Sequence, residues 1–183
     1  KREYPELRLK LREDQTARLI DALRARTLDA AVIALPYTAH GVDTATVAED
    51  EFLFLAPEGH PLTLRNDLSP KHLKHEDVLL LDDGHCLRDH ALSVCNLAPG
   101  RGSADAGATS LHTLVQMVAG GMGVTLLPKL AADGGAAAGA KVVTRPFAEP
   151  VFGRSIGVAW RAGGQREGEA RALAEVLRAL FTK

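Results

Sequence analysis

The chain has 183 residues, 46% hydrophobic and 25% charged, with a formal net charge of −1. This is a globular composition, sufficient for one large domain or two small lobes. It excludes a helical membrane span, since no apolar run approaches the roughly 20 residues one needs, and the near-neutral balance excludes the basic stripe of a nucleic-acid surface. Two cysteines are too few for a disulfide-built secreted scaffold, and no signal-peptide pattern is present. The location expected from this is the cytoplasm, where a disulfide is usually transient and functional.

Taken in order, strands and helices alternate. Leu7, Leu9 and Leu11 in "ELRLKLRE" alternate strictly and predict a half-buried strand. "DQTARLIDALRAR" predicts a helix with Asp14 at its cap and Leu19, Ile20 and Leu23 on one face. "LDAAVIAL" reads as a strand buried on both faces, and "EFLFLAP" as another strand. "SPKHLKH" predicts a short helix with Ser69 at the cap and Pro70 at its first position. "DVLLLDD" is a strand, followed by a helix holding both cysteines, Cys86 and Cys95. "ATSLHTLVQMVAGGMGVTLLP" reads as a cap at Thr109 or Ser110, a helix, a glycine stop and a strand over Val124–Leu127. "GGAAAGA", residues 134–140, reads as a flexible low-complexity loop. "SIGVAWR" is a strand. A helix from Glu167 to Phe181 has Leu173, Val176, Leu177 and Leu180 on one face. The alternation predicts parallel sheets covered by helices, with ligands outside the carboxyl ends of strands. The turns Asp82–His85 and Gly107–Ser110 fit that rule.

The first of these turns leads into Cys86. Gly84 permits a sharp turn, and Cys86 then falls in the first helical turn, where the helix N-terminus favours a thiolate. His85 and Arg88 add to this. A thiolate is the form that peroxide oxidises to sulfenic acid. Along a straight helix, nine residues rise about 13.5 Å and place the two cysteines on opposite faces. A disulfide needs Cα atoms within roughly 7 Å, so a bond between them requires the segment to unwind. The competing readings are an inert core thiol, stronger for Cys95 beside Val94 and Leu97 than for Cys86 in its polar surroundings, and a metal site using Cys86, His90 and Cys95 or His85. The second lacks the usual zinc spacing. His40, His60, His72, His75 and His112 are expected to be solvated.

"DDGHCLRD", followed by a second cysteine nine residues after the first, resembles the redox motif of the OxyR family, the hydrogen-peroxide-sensing transcription regulators of the LysR type. "EDQTARLIDALRARTLDAAVIAL", "ATSLHTLVQMVAGGMGVTLLP" and "RSIGVAWR" resemble the helices and strands of LysR-type effector domains, so the likeness spans nearly the whole chain. It implies an α/β fold of two Rossmann-like lobes of the periplasmic-binding-protein type. Residues 1–50 and 159–183 form the first lobe, and residues 51–158 the second, which carries the cysteines. The winged helix-turn-helix and the usual first strand and helix of the first lobe, with its peroxide-side threonine, have no counterpart in this sequence. As given, it is not expected to bind DNA specifically.

The resemblance makes Cys86 the peroxidatic cysteine and Cys95 the resolving one. Thr16 matches a threonine near the peroxide, Gly84 and His85 its backbone and imidazole contacts, and Arg88 and Asp89 the polar residues after the cysteine. Arg154 matches an arginine near the reduced thiol. No cofactor or metal is implied. The expected partners are hydrogen peroxide, further copies in a dimer or homotetramer, and a reductant such as glutaredoxin or thioredoxin. DNA and RNA polymerase are partners only through the full-length activator. The expected role is stoichiometric sensing that controls antioxidant genes, not enzymatic turnover. Two rivals are a LysR-type domain binding a small organic anion in the inter-lobe cleft, at Thr109 and Ser110, and a thiol peroxidase that turns over.

Overall fold

The structure, a computed structural model, describes residues 4–82 and 108–181. Among the described residues, five strands form two sheets that share one long strand. The elements are α1 (Thr16–Arg24), β1 (Ala31–Leu35), β2 (Val42–Pro57), two 3-10 helices (Pro61–Leu64 and Pro70–His75), α2 (Leu111–Ala119), β3 (Thr125–Pro128), α3 (Lys129–Asp133), β4 (Val142–Pro146), β5 (Gly153–Arg161) and α4 (Glu167–Phe181). The first sheet has the order β1-β5-β2, using β2 from Val42 to Glu51. At Phe52 the same strand changes partners. It lies between β3 and β4 in the second sheet.

Each sheet has its own core. In the first, Leu19, Ile20 and Leu23 of α1 pack on β1 from one side, and Ala170 and Ala174 of α4 pack near Trp160 and Val158 from the other. In the second, Phe52, Phe54, Leu79, Val115 and Leu127 lie in one buried cluster, to which Phe147 belongs. Full burial of each such side chain contributes about 1.5–3 kcal/mol. Gly123 is required where α2 hands over to β3. Its φ is +153°, and a Cβ there would overlap the Asp77 carbonyl.

Several expectations hold. α1 buries the predicted face, α2 begins at the Ser110 cap and ends at Gly120, and β5 and α4 fall where the pattern places them. The Pro70 helix is 3-10, with His72 Nδ1 accepting from the Ser69 N–H at 3.1 Å.

Others are corrected. The Leu7–Leu11 alternation forms no strand: these leucines are 48–91% exposed, and no described residue offers them a ladder. Asp14 is not the cap of α1. Gln15 holds that place, and Asp14 instead accepts the Gln15 N–H at 3.0 Å. β1 is not buried on both faces, because it lies at the sheet edge and Val32 is exposed. The ladders are antiparallel. Among the described residues, parallel pairing survives only as bridges from Val78 to Val124 and from Leu81 to Ala108. Accordingly residues 78–81 of "DVLLLDD" are a buried extended segment held by these bridges rather than a regular strand.

Residues 134–140 are not a loose loop. They continue α3 as consecutive hydrogen-bonded turns, and Ala136, Ala137 and Ala140 pack on the second core. In α4 the most buried positions are Ala170 and Ala174, while Leu180 is exposed. His60 is not solvated. Its Nδ1 accepts the Leu62 N–H, its Nε2 lies 3.4 Å from Glu76, and its ring meets Phe54 edge-on.

Candidate functional site

Residues 83–107 lie outside the described residues, and with them Gly84, His85, Cys86, Arg88, Asp89 and Cys95, as well as the helix expected between the cysteines. The two ends of that stretch are described. Asp82 N–H donates to the Ala108 carbonyl at 3.0 Å, and Ala108 N–H donates to the Leu80 carbonyl at 3.4 Å. One residue further in, Leu79 N–H donates to Val124 at 2.8 Å. Leu79, Leu80, Leu81 and Ala108 are all buried. The cysteine-bearing stretch therefore leaves and re-enters the second core at adjacent points.

Thr16 is the first residue of α1 and is half-buried. It follows Asp14, whose carboxylate bonds to Arg12 and to the Gln15 amide. The Arg12 hydrogen bond, then the Gln15 amide, holds the Asp14 carboxyl below its ordinary pKa.

Arg154 lies on β5, directly opposite Asp50 of β2. Its Nε donates to Asp50 Oδ2 at 3.1 Å, and its Nη2 forms an ion pair with the same oxygen at 3.1 Å. The other carboxylate oxygen accepts the Leu130 N–H of α3 at 3.0 Å. Asp50 is 1% exposed, and the guanidinium also lies 5.9 Å from the Phe52 ring centroid. A buried carboxylate is tolerated only when paired and fully hydrogen-bonded, and this one has both. Sequence reasoning missed Asp50. Its signal was parity: in the strand running through "EFLFLAP", residues 50, 52 and 54 share a face, and 52 and 54 are core phenylalanines.

Thr109 and Ser110 are exposed at the start of α2. Ser110 Oγ accepts the Thr113 N–H at 3.2 Å, capping the helix, and contacts the Thr113 hydroxyl at 3.0 Å. Among the described residues no cluster of His, Cys, Asp and Glu is arranged to hold a metal, and no helix is long and apolar enough to cross a membrane.

The LysR substrate binding domain family matches residues 1–182. A probable hydrogen peroxide-inducible genes activator of Streptomyces viridosporus is 42% identical over 176 residues, covering 96% of this chain and 56% of the relative. The DNA-binding transcriptional dual regulator OxyR of Escherichia coli strain K12 is 35% identical over 182 residues, 96% of this chain and 57% of the relative. The chain thus spans little more than half the length of these relatives. Among solved structures, a cysteine-to-serine OxyR variant of Corynebacterium glutamicum with hydrogen peroxide bound superposes with a TM-score of 0.90 at 33% identity. That match covers 99% of this chain and 57% of that one. The reduced OxyR regulatory domain of Pseudomonas aeruginosa gives 0.85 at 35% identity, covering 97% and 86%. The fold is accordingly the two-lobed α/β type of the LysR effector domains, and its relatives are regulators of transcription rather than enzymes. With the whole chain matched and several relatives above 30% identity, the chain belongs to the LysR substrate-binding domain family, in its OxyR branch.

Proposed function

We propose that this chain is the redox-sensing regulatory domain of a peroxide-responsive transcription regulator. The observation that carries the reading is the cysteine pair, Cys86 in Gly-His-Cys-Leu-Arg-Asp and Cys95 nine residues later, in a chain 42% identical to a probable peroxide-inducible activator. The peroxide held by the Corynebacterium glutamicum OxyR variant supports the same choice of oxidant. Residues 1–50 with 159–183 make one lobe and 51–158 the other.

The Cys86 thiolate attacks one oxygen of hydrogen peroxide. The O–O bond breaks, the sulfur becomes sulfenic acid, and hydroxide leaves, taking a proton with help from Thr16 or His85. Gly84, Arg88, Asp89 and Arg154 complete the surroundings of the thiol and the peroxide. Cys95 thiolate then attacks the sulfenic sulfur; an S–S bond replaces the S–O bond and a second hydroxide departs. Over both steps two thiols are oxidised and one peroxide is reduced to two waters. An external dithiol such as glutaredoxin or thioredoxin restores the thiols by exchange.

The adjacent tethers at Asp82 and Ala108 support this reading, because they let the stretch between them rearrange while the second core stays intact. The disulfide form then acts through a dimer or tetramer on DNA in the longer protein. Ser110, the hydroxyl of the rival site for a small organic anion, caps α2.

Thiol titration tests the proposal. Stoichiometric peroxide should take two free thiols per chain to none, and Cys86→Ser should abolish the reaction. A Cys86→Ser protein that consumed peroxide as fast as the parent would overturn the assignment of the nucleophile.

A further inference from the structure

β2 and β5 change register once. From Val42 to Thr46 the pairing runs without a gap and ends at Thr46 opposite Gly157. Ala48 then faces Ile156, so Val47 is the extra residue of a bulge. Residues directly opposite each other share a face of the sheet. Before the bulge, Ala45 shares the face of Val158, the side that Ala170 and Ala174 of α4 cover. After it, Ala48 and Asp50 share that face with Ile156 and Arg154. The bulge therefore decides which residues of β2 look toward α4 and which look away.

Arg178 of α4 holds the chain at this point. It donates to the Thr46 carbonyl from Nε at 3.3 Å and from Nη2 at 2.8 Å, and to Glu175 from Nη1 at 2.6 Å. Side chains specify the register only weakly here, because the facing stretch of β5 begins and ends with glycine, at Gly153 and Gly157. A second carboxylate also stands next to Asp50. Glu49 faces Ser155 and accepts its hydroxyl at 2.8 and 3.0 Å. If the bulge moved from Val47 to Glu51, Val47 would face Ile156 and Glu49 would face Arg154. Val47 would keep its buried side, and Arg154 would keep a carboxylate opposite it.

We propose that β2 has two registers against β5 at the joint of the two sheets, and that Arg178 is the latch that selects the observed one. The observed register gives Arg154 to Asp50. The other gives it to Glu49, turns Asp50 to the opposite face, and breaks the bond from Asp50 to the Leu130 amide of α3. Through this latch α4, packed on the first sheet, sets how β2 enters the second. The proposal stands on the described strands and not on the reading of the cysteines.

NMR of Arg178→Met tests it, because methionine keeps an apolar stem and removes the donors. The parent should show one set of cross-strand contacts, Ala48 with Ile156 and Asp50 with Arg154. Arg178→Met should add a second set with Glu49 opposite Arg154. Amide exchange from Ala48 to Glu51 should rise about tenfold or more, with Phe54–Ala56 of the same strand unchanged. Adding Glu49→Ala to Arg178→Met should remove the second set.

A single parental set in Arg178→Met would overturn the proposal. So would exchange raised equally along all of β2, since that would make Arg178 a contributor to overall stability only. A second set that survives Glu49→Ala would contradict the exchange of carboxylates. Should Arg178→Met fail to fold, Arg178→Lys replaces it, keeping the charge but not the fork of donors, and the same results decide.

Discussion

Thr125 places a hydroxyl in a dry part of the molecule. The residue is 1% exposed, and its Oγ1 donates to the Leu79 carbonyl at 2.7 Å, just before the chain enters the cysteine stretch. Thr125→Val keeps the shape and removes the donor, leaving a buried carbonyl short of a partner. The expected cost is about 1–3 kcal/mol, seen as a lower urea midpoint with an unchanged slope; an unaltered midpoint would show that the carbonyl finds another donor. Thr125 and Asp50 share a property that hid them in the sequence. Their partners lie 46, 80 and 104 positions away, and no local pattern reports a hydrogen bond made at that distance. The reading of the cysteine pair rests instead on neighbours in sequence, and both cysteines lie outside the described residues.

α2 is the element best specified by its own sequence. Ser110 caps it, Gly120 ends it, and Leu114, Val115 and Val118 form its buried face. Ser110→Ala should cost about 1 kcal/mol of stability and leave the rate of peroxide oxidation unchanged. Calorimetry and thiol titration check the two halves, and a large fall in the oxidation rate would return Ser110 to the list of functional groups. The elements that sequence misplaced fail for an opposite reason. The Leu7–Leu11 alternation encodes one side of a ladder, and a strand forms only where a second side exists. Residues 134–140 look loose by composition, yet alanine carries good helical propensity, and the turns they form continue α3. In α4, Leu173 and Leu177 of the predicted face pack on the core, while Leu180 is exposed. Beside them Ala170 and Ala174 are the most buried, because small side chains let a helix lie close to a sheet.

At the scale of the whole molecule, one strand of 16 residues runs through both sheets and sets how they meet. The Asp50–Arg154 pair lies at that junction, and the cysteine stretch is anchored in the second core. Under the proposed function, oxidation acts at the two cysteines while this two-sheet frame is kept. The central claim is the order of events at the two sulfurs, and the Cys95→Ser protein tests it most directly. Without Cys95, Cys86 should reach sulfenic acid at close to the parental initial rate. It should then be trapped by dimedone, or pass to sulfinic acid in excess peroxide, and no intramolecular disulfide should form. A large fall in the initial oxidation rate of Cys86 would contradict the account, because it would mean that the two sulfurs already act together before peroxide arrives.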